Sequence, residues 1–140
     1  SFRMLSEGGV FAAQIPLFWE MPANNCIVKA EELFADKIKG IEKSRFVLHT
    51  ASEYYDMITS FTDKTTVWIT EYVHKMKDYG ELLNFLKGAA LRPHLELLTG
   101  RTDREQFLNT VLENIRGVYP VEKNGKVLFP FRRLFLIGEN

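Results

Sequence analysis

Six side chains along the sequence could together hold an anion: Trp19, Tyr72, His74, Arg92, Tyr119 and Arg133. All are cationic or carry a polar tip on an aromatic body, and each stands near the end of a predicted helix or strand. A planar guanidinium can bind a carboxylate through two parallel hydrogen bonds. These residue types therefore indicate a binding site for a small anion.

Several of these residues also have a simpler structural interpretation. Pro93 biases the residue before it away from helical backbone, so Arg92 should stand at a bend, where it either faces a cleft or only caps a helix end. His74 ends an apolar strand, where a structural imidazole is the commoner outcome. Arg132 and Arg133 interrupt an apolar strand, so one of them must leave the core or meet an anion. The sequence leaves these interpretations open.

The sequence contains none of the motifs that mark a self-sufficient catalytic site. G-x-G-x-x-G, G-x-x-x-x-G-K-S/T, H-E-x-x-H, C-x-x-C and G-x-S-x-G are all absent. The pair Gly8 and Gly9 indicates a tight turn and not a phosphate-binding loop. The histidines are too scattered to indicate a metal site, and the single Cys26 is expected to be a buried small hydrophobe. We therefore predict no catalytic residue and no metal site in this chain.

Length and composition indicate one globular domain that spans residues 1–140. The sequence is 46% apolar and 26% charged, which is ordinary for soluble proteins. Lysine plus arginine and aspartate plus glutamate each number 18, so no net charge attracts nucleic acid or an acidic membrane. No apolar run approaches the roughly 18 residues that cross a bilayer, and no signal peptide is visible. We expect a cytoplasmic location.

The first third of the sequence predicts a turn, a strand and a helix. Gly8 and Gly9 precede the apolar run Val10–Pro16, whose lack of alternation favours a strand covered on both faces, as in a parallel sheet. Apolar residues then recur at helical spacing from about residue 24 to residue 38. Gly40 stands where such a helix would stop.

The remainder of the sequence predicts further helices and strands. A short helix is expected over 52–60, and a strand rich in β-branched and aromatic residues over 65–74. Asn124-Gly125 predicts a hairpin. A long terminal strand follows it and is expected to break near Pro130.

Two polar pairs predict the starts of the helices on either side of Pro93. Asp78 is followed by Glu81, and Thr102 by Glu105, at the spacing of a capping box. In that motif the first side chain accepts a hydrogen bond from the backbone of the fourth residue, and the fourth side chain bonds back. We therefore expect both Asp78 and Thr102 to stand just before a helix.

The order and spacing of many residues resemble one enzyme family. The segments that carry the resemblance are Leu5-Ser6-Glu7-Gly8-Gly9-Val10, Gln14-Ile15-Pro16 with Trp19 and Pro22, Trp68…Tyr72…His74…Met76, Leu91-Arg92-Pro93…Leu95…Leu98, Tyr119-Pro120, Asn124-Gly125 and Arg133-Leu134-Phe135. They are similar to the C-terminal half of trans-aconitate methyltransferases, which are class I enzymes that depend on S-adenosylmethionine. The resemblance covers nearly the whole chain.

The resemblance implies an α/β fold. This chain would supply the C-terminal part of a Rossmann-like sheet, with three strands that include a closing antiparallel pair, and a helical cap that binds the acceptor. The loop and the acidic residue that bind S-adenosylmethionine would lie in an N-terminal half that this chain lacks. The chain alone is therefore expected to bind no cofactor and to be inactive.

The resemblance also implies a substrate class. The acceptor would be a small polycarboxylic acid that is converted to a methyl ester, and the six anion-binding candidates would hold it. A carboxylate is already ionised at neutral pH, so the acceptor site needs to orient it and needs no general base. The absence of a catalytic pair therefore does not argue against the family.

Two residues differ from the trans-aconitate pattern. His94 replaces the aromatic residue that commonly follows Arg-Pro, and Arg132 replaces the proline expected before Arg133. Either change could select a different acceptor acid.

Two alternatives to the acceptor-binding part of a methyltransferase remain open. The chain could be a module that binds an acid without catalysis. It could also be a dimerisation module in which an exposed strand edge pairs with a second copy. No nucleic-acid or membrane partner is expected.

Overall fold

The computed structural model of the protein describes residues 6–44 and 47–140. Within these residues the strands are β1 (Val10–Pro16), β2 (Thr65–Met76) and β3 (Val127–Glu139). The α-helices are α1 (Pro22–Leu33), α2 (Ala51–Thr59), α3 (Tyr79–Gly88), α4 (Arg92–Leu97) and α5 (Arg101–Val118), and two short 3-10 helices span Phe18–Glu20 and Ile41–Ser44. The predicted α/β class with three strands is confirmed.

The last strand of the chain is the central strand of the sheet, since the order is β1-β3-β2. β1 and β3 run antiparallel, with Val10 opposite Glu139 and Pro16 opposite Arg133. This arrangement agrees with the closing antiparallel pair expected from the resemblance. The parallel strand covered on both faces is not found, because β1 pairs antiparallel and its side chains alternate between exposed and half-buried.

Two predicted turns are confirmed by left-handed backbone at glycine. Gly8 has a φ of 74° at the turn that leads into β1, and Gly125 has a φ of 79° at the turn before β3. A residue with a side chain would be strained at such angles. The second turn is closed by an antiparallel bridge between Val121 and Val127, as the hairpin signal predicts.

The contacts between the described residues divide into two compact units. Unit 1 contains residues 6–18, 47–72 and 131–140, and unit 2 contains residues 19–44 and 73–130. Each unit has its own set of buried apolar side chains.

Unit 1 contains β1, α2 and the adjoining parts of β2 and β3. Trp68 of β2 stacks on Phe135 of β3, with ring centroids 5.0 Å apart and planes within 8°. Only Ile58 of α2 is buried, whereas Tyr55 and Met57 of the same helix are 47% and 45% exposed. The buried side chains of this unit are Leu17, Ile58, Phe131, Leu134 and Leu136.

Unit 2 is organised around α5, the longest helix. Phe107, Val111 and Ile115 recur every four residues and are fully buried, which is the spacing of one helix face. α1 and α3 both pack on α5. Asn114 of α5 also donates a hydrogen bond from Nδ2 to the carbonyl oxygen of Cys26 in α1, at 3.0 Å.

Of the two predicted helix caps, the structure confirms Asp78 but not Thr102. Asp78 is the N-cap of α3 and accepts a hydrogen bond from the Glu81 amide, as predicted. Thr102 is not a cap, because α5 begins one residue before it, at Arg101, and Gly100 occupies the cap position. A full capping box lies instead at Thr50 and Glu53 before α2.

Two further expectations were wrong. α1 ends at Leu33, not near residue 38, because the Phe34 amide bonds to the Glu31 carbonyl in a tightened last turn. Leu33, the last residue of α1, is 75% exposed. β3 is continuous through Pro130. β1 stops opposite Arg133, so the missing N–H of Pro130 removes no bond between these two strands.

We expect the isolated chain to associate through the outer edge of β1. The Leu17 amide donates to the Arg132 carbonyl, so antiparallel alternation turns the backbone groups of Val10, Ala12 and Gln14 away from β3. Among the described residues no strand covers this edge, and open edges recruit a second strand. Sedimentation velocity from micromolar to hundreds of micromolar protein should show a shift from monomer to dimer.

Ala12→Pro is the discriminating variant for this association. It removes an outward N–H without removing a bond to β3, and it should therefore reduce dimer formation. Ala12→Ser keeps the N–H and serves as its control. A wild-type chain that stays monomeric over the whole range would show that the edge is covered.

Candidate functional site

Tyr119 connects the end of α5 to the start of α1. It is only 4% exposed, and its hydroxyl oxygen accepts a hydrogen bond from the Ala23 amide at 3.0 Å. Met21, at the N-cap of α1, makes no side-chain cap bond, so Tyr119 satisfies an N–H that the helix itself leaves unpaired. Burial raises the pKa of Tyr119 to about 12.

An aromatic cluster in unit 2 brings two of the predicted site residues together. Phe129 lies edge-on to Tyr119, at 5.5 Å between ring centroids, and His74 lies 6.5 Å from Phe129. Phe85 completes the cluster at 5.7 Å from His74 and 5.5 Å from Phe129. His74 and Tyr119 therefore flank the same buried ring.

Arg92 is the first residue of α4, so the expectation that Pro93 would keep it out of helical backbone was wrong. Proline is tolerated in the first turn of a helix, where the missing N–H would have no intrahelical partner. The Arg92 side chain is 74% exposed, and its Nε lies 3.1 Å from Oε1 of Glu96, one turn further on. The guanidinium is thus at the surface, in a solvated ion pair with Glu96.

The other three predicted residues belong to different units, Trp19 to unit 2 and Tyr72 and Arg133 to unit 1. Trp19 is half-buried in the 3-10 helix Phe18–Glu20. In unit 1, Tyr72 is 41% exposed on β2. The guanidinium of Arg133 lies 4.7 Å from the ring centroid of Phe131, a cation–π geometry.

Sequence reasoning missed a buried polar pair in unit 2. Nε2 of His94 lies 2.7 Å from Oε1 of Glu31, and both side chains are almost fully buried. His94 also stacks on Phe107. The partners are separated by 63 positions, so no local pattern could connect them, and the one hint was the departure of His94 from the trans-aconitate pattern described above.

A second missed feature lies beside the aromatic cluster. The Tyr79 hydroxyl donates to the Tyr119 carbonyl at 2.6 Å, and the guanidinium of Arg116 lies 5.3 Å from the Tyr79 ring centroid. Tyr79 is the first residue of α3, and an aromatic residue beside an apolar helix face is usually assigned to the core. The sequence therefore offered no reason to single out Tyr79 as a hydrogen-bond donor.

No group of three or more potential metal ligands occurs within the described residues. Cys26 is buried, and desolvation raises the pKa of its thiol. It behaves as the small hydrophobe that the sequence predicts. No helix in the described part of the chain is long and apolar enough to cross a membrane.

The described strand–helix junctions do not fit a dinucleotide-type cofactor site. Such a site needs a glycine-rich turn between a strand and the helix that follows it. Residues 17–21, between β1 and α1, contain no glycine, and neither do residues 77 and 78, between β2 and α3.

The fold is compatible with part of a class I methyltransferase. Its three-stranded sheet carries the closing antiparallel pair, and helices follow β1 and β2 in the chain. No protein-family model matches the sequence.

Relatives identify the particular enzymes that the chain resembles. It is 33% identical over 136 residues to the trans-aconitate 2-methyltransferase of Rhizobium meliloti, covering 96% of the chain and 52% of the relative. It is 32% identical over 138 residues to that of Methylobacterium nodulans, covering 97% and 53%, and 30% identical over 136 residues to that of Azoarcus sp., also covering 97% and 53%. The chain spans about half the length of these curated relatives and resembles the C-terminal half of a trans-aconitate 2-methyltransferase.

Tyr119→Phe should lower the free energy of unfolding at neutral pH by about 1 kcal/mol, because the Ala23 amide loses its acceptor. The folded-state pKa of Tyr119 is raised from 10.0 to about 12. Its contribution is therefore complete below pH 10 and falls as the pH rises toward 12. Urea unfolding should show that the difference in free energy of unfolding between wild type and variant is smaller at pH 11 than at pH 7.

Tyr55→Phe is the matched control, because Tyr55 is 47% exposed on α2. It should change the free energy of unfolding little at either pH. A gap for Tyr119→Phe that stays constant from pH 7 to pH 11 would contradict the assignment.

Proposed function

We propose that the protein containing this chain transfers a methyl group from S-adenosylmethionine to a carboxylate of a small polycarboxylic acid, and that this chain supplies the acceptor-binding part. The observation that carries the proposal is the similarity of nearly the whole chain to trans-aconitate 2-methyltransferases at 30–33% identity. The α/β fold with its closing antiparallel pair is consistent with it.

The chemistry of the chain supports an acceptor-binding role. A carboxylate is ionised at neutral pH, so this part of an enzyme needs only to hold the anion in place. Arg92 and Arg133 carry the planar groups that match a carboxylate. We assign them, with Trp19, Tyr72, His74 and Tyr119, to the acceptor site of the whole protein.

Of these six residues Arg92 is the best placed to meet a soluble acid. Its side chain is exposed, and its partner Glu96 is also largely exposed. Solvated ion pairs of this kind contribute about 0–1 kcal/mol, so a bidentate carboxylate can compete with Glu96 for the guanidinium. Tyr119 is more restricted, because it is almost fully buried and its oxygen already accepts a bond from the Ala23 amide.

The experiment that tests the proposal is a methyl-transfer assay on the whole protein that contains this chain. Radiolabelled S-adenosylmethionine is supplied with trans-aconitate, and with other tricarboxylic and dicarboxylic acids in parallel. Base-labile label on one of these acids would support the proposal, because methyl esters are hydrolysed by base. Transfer to none of them would contradict it and leave the acid-binding or dimerisation module as the remaining proposal.

We expect the isolated chain not to bind S-adenosylmethionine measurably. The strand–helix junctions in the described part of the chain lack the glycine-rich turn that holds such a cofactor. Isothermal titration calorimetry with millimolar cofactor should show no saturable heat. A micromolar dissociation constant would place a cofactor site in this chain and would contradict our assignment.

Arg92→Lys in the whole protein should raise the Michaelis constant for the acid about tenfold, or roughly 1.4 kcal/mol, with little change in kcat. Lysine keeps the positive charge but loses the planar fork. Steady-state kinetics with a varied acid concentration provide the measurement.

Arg101→Lys is a closely matched control for Arg92→Lys. Arg101 is the first residue of α5, as Arg92 is of α4, and it pairs with Glu105 through the same i,i+4 geometry. The control should leave the Michaelis constant unchanged. If both variants changed the Michaelis constant equally, or if neither changed it, Arg92 would have no specific role in binding the acid.

A further inference from the structure

A buried polar contact joins α4 to α1. Nε2 of His94 lies 2.7 Å from Oε1 of Glu31, with the side chains 7% and 12% exposed. The His94 ring stacks on Phe107, with centroids 5.3 Å apart and planes 19° from parallel. Among the described residues His94 is the only polar or charged residue in the buried core. Burial of such groups is unfavourable unless they are hydrogen-bonded, so this contact needs a physical explanation.

α4 depends on tertiary contacts for its position. It has only six residues and no side-chain bond at its N-cap, and isolated helices of that length are unstable in water. Leu91 and Leu98, which flank it, are buried. Apolar burial is non-directional, however, and does not by itself set the rotation of a helix about its axis.

Two polar contacts define the rotation of α4 about its axis. The His94–Glu31 bond ties the middle of α4 to α1. At the far end, Nε of Arg104 in α5 donates to the Leu98 carbonyl. Hydrogen bonds require defined distances and angles. With the stacked Phe107 ring, they leave α4 one orientation in unit 2.

The orientation of His94 determines that of Arg92. Residues on a helix are separated by about 100°, so two residues apart lie on nearly opposite sides. When His94 faces Glu31 in the interior, Arg92 must face outward, and its side chain is 74% exposed as observed. A rotation of α4 that broke the His94–Glu31 contact would turn Arg92 away from its present direction.

We propose that the His94–Glu31 contact positions α4, and with it the Arg92 guanidinium, for the acid acceptor. His94 and Glu31 are positioning residues, which act through α4 and do not touch the acid. Because a carboxylate oxygen accepts, the proposal places a proton on Nε2 of His94, which donates to Oε1 of Glu31. The part of this inference that concerns the acid rests on the proposed function, whereas the part that concerns α4 can be tested in this chain alone.

The first experiment measures hydrogen exchange of the α4 amides in the full chain. The Leu95 and Leu98 amides donate to carbonyls of Leu91 and His94 and report on α4 directly. His94→Phe keeps an aromatic ring for stacking but removes the donor, and we expect about tenfold less protection of both amides. His94→Gln places an amide nitrogen near the position of Nε2 and should keep protection within about threefold of wild type.

Glu105→Gln is the control for this experiment. It removes the carboxylate of the exposed Arg101–Glu105 pair and should leave the α4 amides unchanged. Should His94→Phe not fold, Glu31→Gln retains an oxygen acceptor but weakens the bond, and we expect a smaller loss of protection. Unchanged α4 protection in the folded His94→Phe or Glu31→Gln variant would overturn the proposal.

The second experiment measures kinetics in the whole protein. His94→Phe should raise the Michaelis constant for the acid about tenfold with kcat nearly unchanged, and His94→Gln should restore it. The double variant His94→Phe/Arg92→Lys should be no worse than the poorer single variant, because both act through the same guanidinium. Reduced α4 protection with an unchanged Michaelis constant, or fully additive effects, would overturn the role in acceptor binding.

The two experiments separate this inference from the proposed function. If the whole wild-type protein methylates no acid, the proposed function and the acceptor role fail together. The exchange result then still decides whether the His94–Glu31 contact holds α4.

Discussion

Burial of one face of α5 is the constraint on which unit 2 depends. Phe107, Val111 and Ile115 are fully buried, and each such side chain contributes about 1.5–3 kcal/mol when it leaves water. The helix opposite, α1, presents the small side chains of Ala23 and Ala30 toward the interior. Small residues let two helix backbones approach closely, so large residues on one helix can be accommodated by small ones on the other.

The packing of α1 on α5 makes the polar contacts of unit 2 possible. It brings the end of α5 near the start of α1, where the Tyr119 hydroxyl reaches the Ala23 amide. It also sets Phe107 where His94 can stack on it while bonding to Glu31. The polar contacts are specific because the apolar packing first fixes the distances between helices. Apolar burial supplies most of the stability, and the hydrogen bonds select one arrangement.

Periodicity in the sequence was sufficient to predict most of the elements, and it failed mainly at their ends. β1 and α2 were found where the pattern placed them, since both carry a strong local signal. Thr102 was misread as a cap because the same residue types also occur inside the first turn of a helix, and Gly100 takes the cap position. The parallel pairing expected for β1 was not found among the described residues, where β1 pairs antiparallel with β3, because an apolar run does not show the direction of the neighbouring strand.

The candidate site was less predictable than the fold, and the reason is physical. Residue types identify groups able to bind an anion, but their directions depend on contacts far away in sequence. Arg92 illustrates this point. Its guanidinium was predicted to bind a carboxylate from its type and its place before a proline, yet we infer that its outward direction follows from a histidine buried two residues later. That histidine is held by Glu31, 63 positions before it.

A long, flexible side chain binds a ligand more tightly when the backbone that carries it is already fixed. Otherwise both the side chain and the backbone lose conformational entropy when the acid binds. In the proposed acceptor site, the buried His94–Glu31 contact would order the backbone of α4 during folding, before the acid binds. Arg92 would then remain exposed and available to the acid.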